Sequence, residues 1–120
     1  MAGTPIPRRR PMSAPEEKIR VLKESIREEP DDPLGYYLLG VETAKLGRHL
    51  DAIDAFERAI RLNPDYTAAY RELGKSLRDA GRTPEAEDVF GRGLEVAERT
   101  RDSQTAREML VFLKRLREER

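Results

Sequence analysis

Residues 32–64 read DPLGYYLLGVETAKLGRHLDAIDAFERAIRLNP, and the block that follows says most of it again. Setting residues 33–66 over 67–100 pairs Tyr36 with Tyr70, Leu39 with Leu73, Gly40 with Gly74, Gly47 with Gly81, Ala52 with Ala86 and Phe56 with Phe90. The offset never changes from one pair to the next. Self-similarity at a fixed period of about 34 residues signals a unit of one supersecondary element that buries its apolar face only by stacking on a neighbour. Inside each copy, two runs of helical periodicity meet at a glycine. Asp32-Pro33 is a helix start, because the carboxylate caps orphan N–H groups and proline at the first helical position gives up a hydrogen bond it would not have made. The first helix is predicted to run to about Leu46 and to stop at Gly47, where a left-handed residue is cheap only without a Cβ. The second is predicted over 49–62, with Ile53, Phe56, Ala59 and Ile60 on one face and a turn at Asn63-Pro64-Asp65. In the second copy, Tyr70, Leu73 and Leu77 face inward and Gly81 breaks the helix. Thr83-Pro84-Glu85 then starts a helix carrying Val89, Phe90, Leu94 and Val96 to about Arg99.

An aromatic, a Leu-Gly pair, an alanine and a phenylalanine at these offsets resemble the tetratricopeptide repeat. The resemblance implies an all-α, right-handed α-solenoid of helix-turn-helix repeats with flanking helices, and a general role as a protein-interaction scaffold. Gly40 and Gly74 then fall mid-helix, each at a cost of about 1 kcal/mol against alanine. Close approach of the paired helix is the expected compensation, with Ala52 and Ala86 as the facing small residues.

Around the two repeats (33–66 and 67–100) lie three further segments. Residues 1–12 hold Pro5, Pro7 and Pro11 beside Arg8, Arg9 and Arg10, and read as a disordered basic Pro-rich arm. A single domain is expected over 13–120. Ser13-Ala14-Pro15-Glu16 matches a capping box, and Ile19, Leu22 and Ile26 mark a helix over 13–29. Pro30, which follows it, lies one full period before Pro64. The helix occupies the place of the second helix of a preceding repeat. The segment 102–119 keeps helix periodicity through Ala106, Met109, Leu110, Leu113 and Leu116. It loses the signature, with Gln104 and Glu108 where the aromatic and glycine should be, and is expected to cap the open end. The second copy also drifts: Gly93 replaces the alanine seen at Ala59, and Glu98 stands where Pro64 predicts a proline.

Composition fits helices with one apolar stripe, at 38% charged and 6% aromatic residues. The 23 bases and 23 acids cancel, yet the three arginines of the arm have no acid beside them. Without cysteine there is no disulfide framework or Cys-type zinc site. No apolar run approaches the ~20 residues of a membrane span. Pro11, Glu16 and Glu17 fall where an export signal after the arginines would need apolar residues, so a cytoplasmic location is expected. Gly74-Lys75-Ser76 lacks the earlier glycine and the strand of a phosphate loop. His49 is the only histidine, and the resemblance implies that it packs at the turn between the two helices, where the family often has an aromatic. Glu28, Glu29, Asp31 and Asp32 read as a solvated turn. These readings predict no catalytic, cofactor or metal residues, and neither specific nucleic-acid nor membrane binding.

The concave side of such an array is lined by the first helix of each repeat. Carried over from the resemblance, the groove comprises Leu34, Tyr37, Leu38, Val41 and Lys45 on repeat one, Arg71, Lys75 and Arg78 on repeat two, and Met109 and Phe112 on the last helix if it stays in phase. An unidentified protein or peptide with an acidic flank is the expected partner. The relatives that hold a heat-shock protein's C-terminal carboxylate use a clamp of Lys and Asn. Its positions are here Tyr37, Val41, Glu72, Asp102 and Ala106, so that ligand is not expected. The alternative is self-association, as a homodimer or assembly subunit, through a last helix whose apolar stripe Val111 and Phe112 widen.

Overall fold

The computed structural model describes residues 3–5 and 10–119. Arg8, Arg9 and much of the arm expected over 1–12 lie outside the described residues. Six α-helices and no strands are found among those described: α1 (Ala14–Glu28), α2 (Pro33–Lys45), α3 (His49–Leu62), α4 (Thr67–Asp79), α5 (Thr83–Thr100) and α6 (Ser103–Glu118). Each helix packs on the next in sequence. In addition α2 touches α4 and α4 touches α6, whereas α1, α3 and α5 do not meet one another. The even-numbered helices therefore form the inner rail of a curved stack and the odd-numbered helices the outer rail, which makes an all-α solenoid.

Local chemistry sets the boundaries. Asp32 accepts from the Leu34 amide at 3.0 Å, and Ser13 accepts from the Glu16 amide at 3.3 Å. The Glu16 carboxylate departs from the reciprocal capping pattern: it takes the Ser13 hydroxyl at 3.1 Å and Arg10 at 2.8 Å. Gly47 and Gly81 adopt φ of +73° and +79°. Each closes its helix with a pair of bonds. At Gly47 these are Arg48 N–H to Thr43 C=O and Gly47 N–H to Ala44 C=O; at Gly81 they are Arg82 N–H to Leu77 C=O and Gly81 N–H to Arg78 C=O.

One continuous core runs along the stack, through Phe56, Tyr70, Leu73, Phe90, Met109 and Leu116. Its most constrained points are the two mid-helix glycines. The close neighbour is not the expected alanine but the phenylalanine ring. A Cβ placed on Gly40 would stand 2.5 Å from Phe56 Cε1, and one on Gly74 would collide with the Phe90 ring. Ala52 and Ala86 are fully buried beside these contacts. Gly93 has a separate reason. A Cβ there would lie 2.6 Å from Met109 Sδ and 2.7 Å from Tyr70 Cβ, so the departure from Ala59 makes room for α6.

The last helix is not in phase with the repeat. α5 has 18 residues against 14 in α3, and the turn that follows contains no proline. Arg101, at φ 60°, ends α5 with Asp102 N–H bonding Ala97 C=O and Arg101 N–H bonding Glu98 C=O. This is the closure seen at Gly47 and Gly81, made here with a side chain present. α4 begins at Thr67 and α6 at Ser103, two positions later than the repeat period would place it. The buried residues Thr105, Met109 and Leu113 accordingly match Ala69, Leu73 and Leu77 only when the period is lengthened by those two positions. Asp102 locks the junction, accepting from the Thr67 hydroxyl at 2.5 Å and the Thr105 amide at 3.1 Å. These bonds, the Thr67 hydroxyl first, hold its carboxyl below the usual aspartate range.

Candidate functional site

The inner rail presents two kinds of surface. On α2, Leu34 and Leu38 lie one turn apart, 49% and 38% exposed. Tyr37 between them is half-buried. It stacks on Tyr66 at 5.0 Å between ring centroids and meets Phe56 at 5.9 Å. Val41 is also half-buried against the core. The two apolar faces of α2 thus divide, Tyr37 and Val41 bracing the helix and Leu34 and Leu38 meeting solvent.

On α4 the expected basic wall is largely neutralised within the protein. Arg71 bonds Glu72 at 3.1 Å, Glu108 of α6 at 2.9 Å, and the Tyr37 hydroxyl at 3.4 Å. It ties the three inner helices together. Lys75 reaches Glu72 at 3.3 Å and Arg78 reaches Asp79 at 3.0 Å. Both cations also lie over the Phe112 ring, at 5.5 and 5.3 Å from its centroid, and that ring stacks on Phe90 at 5.8 Å. Phe112 is therefore a half-buried shelf under two cations. Lys45, exposed at the end of α2, pairs with Glu42 at 3.0 Å.

Two sequence expectations need correction. Met109 is fully buried, packed over Gly93, and cannot line a groove; the slip in register turned it inward. The same slip moves the apolar surface of α6 to Leu110 and Val111, 52% and 47% exposed, and away from Phe112. Two residues that the sequence reading did not single out also matter: Val21, 53% exposed on α1, and Glu42. Val21, Lys18, Leu38 and Glu42 share an open, mostly apolar cleft of ≈ 540 Å³ between α1 and α2. A signal for it exists in the chain, since Leu22 lies one period before Phe56 and Lys18 one period before Ala52. Those positions face the first helix of their own repeat, which the described residues before α1 do not supply. His49 opens α3, its Nδ1 buried without a hydrogen-bond partner among the described residues. No cluster of metal-ligating side chains occurs among the described residues, and no helix there is long and apolar enough to cross a membrane.

The tetratricopeptide repeat family model matches residues 37–98, from within α2 to near the end of α5. The chain belongs to the tetratricopeptide repeat family. The matched region contains both glycine–phenylalanine contacts. A protein from Bordetella parapertussis, BPP2914, is similar at 29% identity and a TM-score of 0.75, over 84% of this chain and 88% of that one. A tetratricopeptide repeat domain protein from Salinibacter ruber reaches 30% identity and 0.67, over 73% and 89%. The TPR2B domain of yeast Sti1, solved in a complex with pHsp70, superposes with a TM-score of 0.82 at 20% identity, over 85% and 82%. No curated protein matches the chain in sequence. Domains of this family are generally interaction modules without catalysis.

Proposed function

We propose that this tetratricopeptide repeat chain is a non-enzymatic scaffold whose concave face takes up a segment of another protein. The segment it suits carries apolar anchors for Leu34 and Leu38 and an acidic flank that would displace Glu72 and Asp79 from Lys75 and Arg78, above Phe112. The observation that carries the reading is the pair of leucines one turn apart on an inner helix, both exposed. Exposed apolar surface held on a rigid helix favours docking of an extended or helical segment. Arg71 serves as a brace, since its guanidinium is already taken by Glu72 and Glu108.

The Sti1 relative was solved with pHsp70, but the carboxylate clamp of such domains does not carry over. Re-registering α6 moves the last two clamp positions from Asp102 and Ala106 to Gln104 and Glu108. Tyr37, Val41 and Glu72 fill the others, and none of the five supplies a cation. Peptides ending in a free carboxylate should bind no better than their amidated forms.

Selection from a displayed peptide library tests the reading. Wild type should enrich sequences with two apolar residues flanked by Asp or Glu, and a Leu34→Asp/Leu38→Asp variant should lose that enrichment. Retention of the same peptides by the variant would exclude this face as the docking surface.

A further inference from the structure

The helix order α1 to α6 is outer, inner, outer, inner, outer, inner, so the described stack begins and ends in mid-repeat. Among the described residues α1 is an outer helix with no inner partner, and α6 an inner helix with no outer partner. Each end lacks what the other end displays. We infer that a second copy of this chain docks head to tail, with α6 of one molecule seated in the α1/α2 cleft of the next as the missing inner helix.

Three features of the register support this occupant. In each complete repeat the inner-helix glycine meets the outer-helix phenylalanine, Gly40 on Phe56 and Gly74 on Phe90. In the lengthened register of α6, Leu110 takes the place of Gly74; on α1, one period before Phe56, stands Leu22. Docking therefore sets Leu110 on Leu22, replacing a glycine–phenylalanine contact by two mid-sized side chains, and both are without such a partner within one copy. Val21 adds to this face, since it lies one period before Ala55, which is buried in the corresponding place.

The third feature is electrostatic. Glu42 is only 8% exposed, and its Oε1 takes both Lys45 at 3.0 Å and Lys18 at 3.8 Å. Its Oε2 has no partner among the described residues, an arrangement that is costly unless something else satisfies it. Glu42 occupies on α2 a place related to that of Phe112 on α6 through Ser76 of α4, and Phe112 lies beneath Lys75 and Arg78 of the preceding inner helix. The equivalents of those two residues on an incoming α6 are Val111 and Lys114. The dock thus brings Lys114, with Val111 beside it, to the unsatisfied carboxylate, while Arg107, the equivalent of Arg71, comes to lie over Leu38 as Arg71 lies against Glu108. Lys18 stands where Ala52 and Ala86 allow close packing, so it must swing aside, and the contact is weaker than the intramolecular ones. A contact of this kind joins unlike surfaces, so it propagates into short linear oligomers.

Sedimentation velocity on the full chain from micromolar to millimolar concentration tests the inference. Wild type should show reversible, concentration-dependent association. Val21→Glu, which spoils the cleft, and Leu110→Glu, which spoils the helix, should each be monomeric, and circular dichroism should show both folded because the two side chains are over half exposed. An equimolar mixture of the two should form a dimer that grows no further, since one variant keeps a working helix and the other a working cleft. Lys114→Glu should weaken association at least about tenfold, and Lys18→Ala should tighten it. A monomeric wild type at all concentrations would overturn the inference. So would a mixture that stays monomeric, or a Val21→Glu variant that associates normally, which would mean that α6 pairs with α6 or that the N-terminal arm fills the cleft.

Discussion

The two central repeats and the α5–α6 junction perform the same task, seating an inner helix against the helix before it, with different residues. Between α3 and α4 the chain turns through Asn63, Pro64 and Asp65, and the Tyr70 hydroxyl donates to the Pro64 carbonyl at 2.9 Å. Between α5 and α6 the proline is gone, α5 runs on to Thr100, and Arg101 in the left-handed region ends it. The first solution fixes the repeat period; the second lengthens it and recovers the seating with Met109, Gly93 and the Asp102 hydrogen bonds. The solenoid tolerates a change of turn provided that the side chains behind it change together.

The largest effect that separates these regions should come from the phenylalanines. Phe56→Ala and Phe90→Ala each empty a fully buried site and should cost about 3–5 kcal/mol in chemical denaturation. Phe90→Ala should be the worse of the two because Phe112, which carries Lys75 and Arg78, stacks on that ring, whereas Tyr37 keeps its stack on Tyr66 when Phe56 is lost. Equal losses would mean that α6 draws little from this contact.

Overpacking comes next. Gly93→Ala drives a methyl into Met109 and Tyr70 and should destabilise by about 1–3 kcal/mol, whereas Ala59→Gly, at the same place in the first repeat, should cost only about 1 kcal/mol through helix propensity. Thermal melts of the pair would expose the asymmetry, and a silent Gly93→Ala would contradict the close seating of α6.

Arg101→Gly should act in the opposite direction. It removes a Cβ from a left-handed position and so should stabilise by about 0.5–1 kcal/mol, provided that relief of strain exceeds the added freedom of the unfolded glycine. The same measurement on Gly47→Arg, where φ is +73°, should show a loss of similar size.

The smallest effect is the dependence on pH. The folded Asp102 carboxyl lies below its ordinary value because Thr67 and Thr105 donate to it. A depressed acid contributes its full stability above the unfolded value, about 3.9, and loses it as pH falls through the lower folded value. Wild type should therefore lose stability as the pH falls below about 4 more steeply than Asp102→Asn. Parallel curves would mean that the carboxylate is not selectively held.

The repeats were legible because their evidence comes twice. Gly40 and Gly74 make little sense singly as mid-helix residues, but a constant offset to a second glycine and a second phenylalanine leaves one arrangement. The helix ends at Gly47 and Gly81 were legible for the same reason. The phase of α6 was not. Gln104 and Glu108 stand one period after residues that face a paired outer helix, which α6 lacks among the described residues, so their mismatch carries no information about its seating. The pattern that did carry it, Thr105, Met109 and Leu113 against Ala69, Leu73 and Leu77, becomes visible only when the offset is allowed to change. At the concave face, charge counting along α4 found cations correctly but could not see that Glu108 arrives from another helix to neutralise Arg71. Leu34 and Leu38 could be named from position; that Tyr37 beside them stacks inward on Tyr66 required the packing.

Among the described residues, each helix touches only its neighbours in the chain and, along the inner rail, the next helix of that rail. Nothing among them ties the beginning of the chain to its end. Pulled by its termini, such a molecule should come apart by peeling from one extremity, hairpin after hairpin, at modest force and with several small extensions. On release it should zip back quickly, because every contact that must re-form lies a short distance away along the polypeptide.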